Sequence, residues 1–99
     1  MNVVFSGFDW DDGNRKKCQK HGVSIDEIEN LFLGQPRVAP DIPHSGEEDR
    51  FIAVGRTVEE RPLFVAFTFR KSAMGTLIRP ISARDMHGKE IESYESQSP

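Results

Sequence analysis

Four arginines stand at predicted strand ends in the second half of the chain: Arg56, Arg70, Arg79 and Arg84. A guanidinium is a planar fork that grips phosphate through two parallel N–H bonds, and it stays charged when partly buried. Paired antiparallel strands hold opposite residues about 5 Å apart. Several forks can therefore converge on one face and stabilise a phosphate that gains charge in a transition state. The plainer reading is solvated strand-edge arginines paired with Asp and Glu, and pattern alone favours it. Arg79 and Arg84 are five residues apart, and in a regular strand an odd separation points side chains to opposite faces. They share a site only where the strand bulges, and Pro80 between them is a cause for a bulge. For proton transfer the first candidate is His21, because unperturbed histidine titrates near neutrality. Lys89 and Tyr94 are reserves. A lone histidine at a helix end is more often a cap.

Other chemistries lack their residues. Cys18 and His21 form C-x-x-H, half of a zinc pattern. A structural site needs four ligands, and His44 and His87 are isolated in sequence, so no metal or other cofactor is expected. There is no glycine-rich phosphate loop, and Ser82 lacks the G-x-S-x-G context of a hydrolase nucleophile. A single cysteine cannot form an internal disulfide. No apolar run approaches the roughly 20 residues of a membrane helix. The start, Met1 to Ser6, lacks the basic and long apolar stretches of a signal peptide. A cytoplasmic protein with no membrane contact is the expectation.

With 99 residues, 36% apolar and 29% charged, the chain reads as one globular domain over 1–99. Its formal charge is −3, unevenly spread. Residues 1–49 hold five Lys/Arg and ten Asp/Glu, whereas residues 50–90 hold eight basic and four acidic side chains. This predicts two surfaces of opposite sign, the basic one able to attract phosphate.

The elements that must position these residues are legible in part. Residues 3–10 read as a short strand. Asp11 and Asp12 suit a helix N-terminus, and that helix should run to about His21 and stop at Gly22. It is nearly all polar, so Trp10 and Val23 at its ends must anchor it. Ser24-Ile25-Asp26-Glu27 is a capping box with Val23 and Ile28 as a staple. Ile25, Ile28, Leu31 and Phe32 then form one apolar face, ended by Gly34 and Pro36. Val38 and Ala39 suit an edge strand within a Pro-rich loop over 37–49. Three strands follow as an antiparallel meander: Phe51 to Arg56, Leu63 to Phe69 in the centre, and Thr76 to Ala83. Asp85 to Glu95 reads as a helix that Gly88 weakens by ~1 kcal/mol. The fold class is α+β: two N-terminal helices on a small twisted antiparallel sheet, with a C-terminal helix.

Three stretches in order carry a family resemblance. They are Phe8-Asp9-Trp10-Asp11 with Lys20-His21-Gly22-Val23-Ser24; Asp49-Arg50-Phe51-Ile52-Ala53-Val54-Gly55-Arg56; and Arg79-Pro80-Ile81-Ser82-Ala83-Arg84 with Lys89-Glu90 and Tyr94-Glu95. Over about residues 8–95 the chain resembles the BrnT toxins of type II toxin–antitoxin systems. The resemblance implies a RelE-like fold and ribonuclease activity. It implies a BrnA-like ribbon-helix-helix antitoxin as partner, and operator DNA reached only through that antitoxin. A homodimer and a 2:2 complex with antitoxin are the candidate assemblies. The mechanism expected is metal-independent RNA cleavage by 2′-OH transesterification. His21, Arg70, Arg79, Arg84 and Lys89 are the catalytic candidates, with Arg56, Lys17, Lys20 and Tyr94 as RNA contacts. The competing reading is a binding module that engages an antitoxin or the translation machinery and cleaves nothing.

Overall fold

Two capping boxes start the first two helices in a computed structural model that describes residues 3–97. Helix α1 (Asp12–Gln19) begins at Asp11, whose carboxylate accepts from the Asn14 backbone N–H at 3.0 Å. The Asn14 side-chain oxygen in turn accepts from the Asp11 N–H at 2.7 Å. Helix α2 (Ile25–Leu33) begins at Ser24, reciprocally bonded to Glu27 at 3.0 and 2.9 Å. Gly22 between the helices has φ +79°, the left-handed region where glycine carries no Cβ penalty.

The helices cover one face of a five-stranded sheet. Its strands are β1 (Gly7–Phe8), β2 (Arg37–Pro40), β3 (Phe51–Arg56), β4 (Pro62–Ser72) and β5 (Gly75–Asp85), in the spatial order β1-β5-β4-β3-β2. A 3-10 turn spans Ile42–His44, and helix α3 (Gly88–Ser96) ends the described chain. The α+β class and the three-strand meander are as expected, with β4 in the centre. The sheet is mixed rather than antiparallel throughout, because β1 pairs with β5 in parallel, Gly7 against Leu77 and Phe8 against Ile78. The long α1–α2–β2–β3–β4 excursion lets the chain return to the far side of β5 in the parallel sense.

The expectation that α1 is held only at its ends is corrected. Cys18 is fully buried and Asn14 nearly so. The Asn14 amide donates to the Asp9 carbonyl at 2.9 Å and to the Pro80 carbonyl at 3.0 Å. It continues the ladder on β5, where Thr76 and Ile78 carbonyls accept from Ser6 and Asp9 N–H groups. A side-chain amide thus satisfies a backbone acceptor that β1 is too short to reach.

The helix-facing side of the sheet carries Phe51 and Ala53 of β3, Leu63, Val65 and Phe67 of β4, and Ile78 and Ala83 of β5. With Val23, Ile28, Leu31 and Phe32 they form the core. The Phe67 ring meets Phe32 edge-on at 4.9 Å between centroids. Each such fully buried side chain contributes about 1.5–3 kcal/mol. No helix among the described residues is long and apolar enough to cross a membrane.

Candidate nucleic-acid interface

The opposite sheet face carries the arginines. On β4 this face is Phe64, Ala66, Thr68 and Arg70, and on β3 it is Ile52, Val54 and Arg56, the alternates of the core positions. On β5 the register shifts once. Ala66 faces Ser82, but Phe67 faces Pro80, so Ile81 is the extra residue of a bulge. Arg79 therefore lies opposite Thr68, and Arg84 opposite Phe64. Thr68 and Phe64 are four apart on a regular strand and share a face. The bulge at Ile81 removes the odd-spacing conflict and sets Arg79 and Arg84 on the same side as Arg70.

Each of these arginines meets a carboxylate. Arg84 grips Glu90 of α3 with both terminal nitrogens, at 2.7 and 3.0 Å, and its guanidinium lies 3.9 Å over the Phe64 ring. Arg79 pairs with Asp11 at 2.8 Å and Asp9 at 3.4 Å. Arg70 pairs with Glu48 of the β2–β3 loop, and Arg56 with Glu95 of α3. The two arginine side chains of β5, Arg79 and Arg84, remain 22% and 30% exposed.

The pairing corrects the expectation of separate acidic and basic surfaces. Asp9, Asp11 and Glu48 come from the acidic half and neutralise arginines of the basic half. Arg61 repeats the pattern on the edge near the helices. It bonds Asp85 at 2.7 and 3.1 Å, Glu27 at 3.0 Å and the Gly22 carbonyl at 3.0 Å. The guanidinium groups hold their partner carboxyls in the charged form. Arg84, then the His87 backbone N–H, pull Glu90 down to about 2. Arg70 lowers Glu48, Arg61 lowers Asp85, and the Asn14 N–H with Arg79 lowers Asp11.

Helix α3 lies across this face and brings Lys89 and Tyr94 to it. Lys89 is exposed. The Tyr94 ring sits under the Arg37 guanidinium at 4.6 Å, and its carbonyl accepts from Arg37 at 2.8 Å. Between α3 and the sheet is a cleft of about 510 Å³.

Arg56, Arg70, Arg79, Arg84, Lys89 and Tyr94 thus share one face. His21, Lys17 and Lys20 do not. They belong to α1 and the turn after it, in the helical layer, whose Asp11 cap meets Arg79 at its near end. The histidine on the arginine face is His87, which precedes α3. Its N–H donates to Glu90 Oε1 at 2.7 Å, and its Nδ1 lies 3.8 Å from the same oxygen. Its side chain is 72% exposed. Sequence reasoning set His87 aside as isolated. The available signal was its spacing, three residues after Arg84 and three before Glu90. Among the described residues, no cluster of three His, Cys, Asp or Glu side chains is arranged to hold a metal ion.

A family model described as the ribonuclease toxin, BrnT, of type II toxin–antitoxin systems matches residues 10–90. The matched span includes all four arginines, His87, Lys89 and Glu90, and stops before Tyr94. No curated protein matches the chain.

Proposed function

Because the chain belongs to the BrnT family of type II toxin–antitoxin ribonuclease toxins, we propose that its arginine face cleaves RNA by metal-free transesterification. A cognate ribbon-helix-helix antitoxin of BrnA type would stop it by covering that face. The observation that carries the reading is the bulge at Ile81, which gathers Arg70, Arg79 and Arg84 from two strands onto one surface.

The reaction needs a base, charge stabilisation and an acid. The ribose 2′-oxygen attacks the adjacent phosphorus and gives its proton to the base. A pentavalent phosphorane forms, the P–O5′ bond breaks, and the acid protonates the leaving O5′. The products are a 2′,3′-cyclic phosphate and a 5′-hydroxyl. Arg84 and Arg79 supply forked donors to the extra negative charge, and Arg70 holds a neighbouring phosphate. Substrate phosphate must first exchange for the carboxylates those arginines now grip. Like replaces like in this exchange, since carboxylate and phosphate present similar oxygen pairs to a fork. His87, linked to Arg84 through Glu90, takes the acid–base role that sequence alone gave to His21. Lys89 is its neighbour on α3 and adds positive charge. Arg56 and Tyr94 contact flanking nucleotides, and Lys17 and Lys20 of α1, the helix whose Asp11 cap pairs with Arg79, meet RNA that runs past that edge of the sheet.

The test is cleavage of an end-labelled RNA in excess EDTA. Products should carry a cyclic phosphate, His87→Gln should slow the reaction at least ~10²-fold, and His21→Gln should leave it unchanged. Loss of activity in EDTA with recovery on one divalent ion, or 5′-phosphate products, overturns the mechanism. The full ion pairing of the arginines favours a second reading, a non-catalytic module that binds its antitoxin or the translation machinery. RNA bound but uncleaved under all conditions selects it.

A further inference from the structure

Helix α3 has no buried residue, and among the described residues no strand or other helix packs closely against it. Charge holds it instead. Three arginines from three strands reach it: Arg84 of β5 to Glu90, Arg56 of β3 to Glu95, and Arg37 of β2 to the Tyr94 carbonyl and the Gln97 amide oxygen. Beneath the helix lies the cleft of about 510 Å³. Its floor includes Ile52, Val54 and Phe64, whereas α3 turns Glu90, Ser93 and Gln97 toward it beside Tyr94. The one aliphatic side chain of α3, Ile91, does not line it.

The other carboxylates on this face are fixed more firmly. Asp9 and Asp11 reach Arg79 from the start of α1, which the Asn14 amide pins to β5. Glu48 belongs to the loop whose Asp49 carbonyl accepts from the Thr68 hydroxyl at 2.7 Å. The firm anchor of α3 lies before its first turn. Met86 is buried, and its N–H donates to the Pro62 carbonyl at 2.8 Å. His87 and Gly88 follow, both exposed. A pivot there lets the helix swing while His87 stays close to Arg84.

Glu90 holds Arg84 as a phosphate would. Its two oxygens meet the two terminal nitrogens at 2.7 and 3.0 Å, the forked geometry that carboxylate and phosphate share. The Arg84–Glu90 and Arg56–Glu95 pairs are both open to solvent, where ion pairs are weak and screened. A polyanion competes at all three arginines together, and each one it takes releases a tie of α3. A nine-residue helix without tertiary support is marginal in water, so release and loss of helical order go together.

We propose that α3 is an autoinhibitory strap: in the free protein Glu90 and Glu95 occupy the forks of Arg84 and Arg56, and RNA phosphates displace them and lift the helix from the sheet. Lys89 and Tyr94 travel with the released segment toward the RNA that releases it. The apparent affinity for RNA is then lower than the intrinsic one by the fraction of molecules whose strap is open. The inference rests on the reading of the arginine face as an RNA site.

The experiment uses a labelled single-stranded RNA with 2′-O-methyl riboses, which cannot be cleaved, and reads its anisotropy at physiological ionic strength. Glu90→Gln combined with Glu95→Gln takes the charge from both forks and keeps an acceptor for the His87 N–H, because glutamine also closes a capping box. It should tighten binding ~3–30-fold, the worth of two exposed ion pairs. Glu59→Gln combined with Glu92→Gln removes the same charge from two exposed positions outside these pairs, and should tighten it ~2-fold at most. Glu95→Gln alone leaves the capping box untouched; it should give part of the gain and serves if the double variant misfolds. Amide exchange over residues 88–97 reads the motion, and the wild-type protein should lose protection there on binding the RNA. An affinity gain no larger than the control's, or α3 amides as protected in the complex as in the free protein, overturns the strap. Cleavage of ordinary RNA is measured in parallel. Failure of the strap with cleavage intact leaves the ribonuclease reading standing. A strap that opens without cleavage removes that reading and keeps the RNA-released switch. No RNA bound by the wild type or any variant overturns both.

Discussion

Arg84→Lys separates catalysis from ion pairing most cleanly, because both contributions can be sized from its contacts. In the folded protein Arg84 makes two bonds to Glu90 and lies on Phe64. Both side chains of the pair are 30% exposed, so solvent screens the pair and its worth is about 0–1 kcal/mol. The stacking adds about 0.5–1 kcal/mol. Lysine retains the charge and part of each term, so the net cost is about 1 kcal/mol, a fall in Tm of roughly 4–8 °C for a domain of this size. The catalytic loss is larger. Lysine cannot present two parallel donors, and loss of one preorganised donor costs roughly 10²–10³-fold in rate. Single-turnover cleavage of a short RNA, measured well below both melting temperatures, should therefore fall ~10²-fold. Arg61→Lys is the control. Its partners Glu27, Asp85 and the Gly22 carbonyl tie the α1–α2 turn to the sheet edge, so it should lower Tm comparably and leave the rate of the folded fraction unchanged. If Arg84→Lys cleaves at the wild-type rate while its Tm drops, the residue is an ion-pair anchor for α3 and the phosphate assignment is wrong.

The antitoxin should abolish cleavage at saturation, with association slowed by salt more than final affinity is weakened; a saturated complex that cuts RNA at the free-enzyme rate refutes occlusion. Asn14→Ala leaves the buried Pro80 carbonyl unpaired and removes one half of the α1 capping box, the bond from the Asp11 N–H, so urea unfolding should show a loss of about 1–3 kcal/mol. A loss under about 0.5 kcal/mol would show that the amide does not hold β5. Burial pushes the Cys18 thiol from 9.0 up to about 11. The unfolded chain then loses this proton first, so stability should fall as pH rises through that interval. Cys18→Ala should flatten the fall, and a parallel pH curve for the variant would refute the assignment. The same thiol should resist a thiol reagent at pH 8 unless the chain is unfolded.

Local signals were legible because they need only near neighbours. The Ser24–Glu27 box and Gly22 gave the helix limits, and the apolar alternation of Phe51 to Ala83 gave the meander. The need for a bulge between Arg79 and Arg84 followed from spacing alone. What was not legible depends on contacts far apart in the chain. Gly7–Phe8 has two residues and no periodicity, so its parallel pairing was hidden. Asn14 and Cys18 looked like ordinary helix-surface residues until β5 lay against them. The choice between His21 and His87 turns on which layer each occupies, and residue type says nothing of that. The charge asymmetry between the halves was read as two surfaces, yet Arg70 and Arg79 draw their carboxylates from the first half, and Arg61 draws one of its two from there.

The parallel docking of β1 has a consequence for the order of folding. β4 and β5 are joined by a tight turn at Ala73–Met74, so their pairing closes locally and quickly. β1 leaves the ribosome first but must wait for β5, some seventy residues later, to exist as a partner. Asp9, Asp11 and Asn14 travel with it, so Arg79 stays without its carboxylates and Pro80 without its amide until that late step. The arginine face is consequently assembled only once most of the chain has been synthesised. A newly made toxin passes through an interval in which its surface is unfinished, and an antitoxin already present in the cell can meet it there.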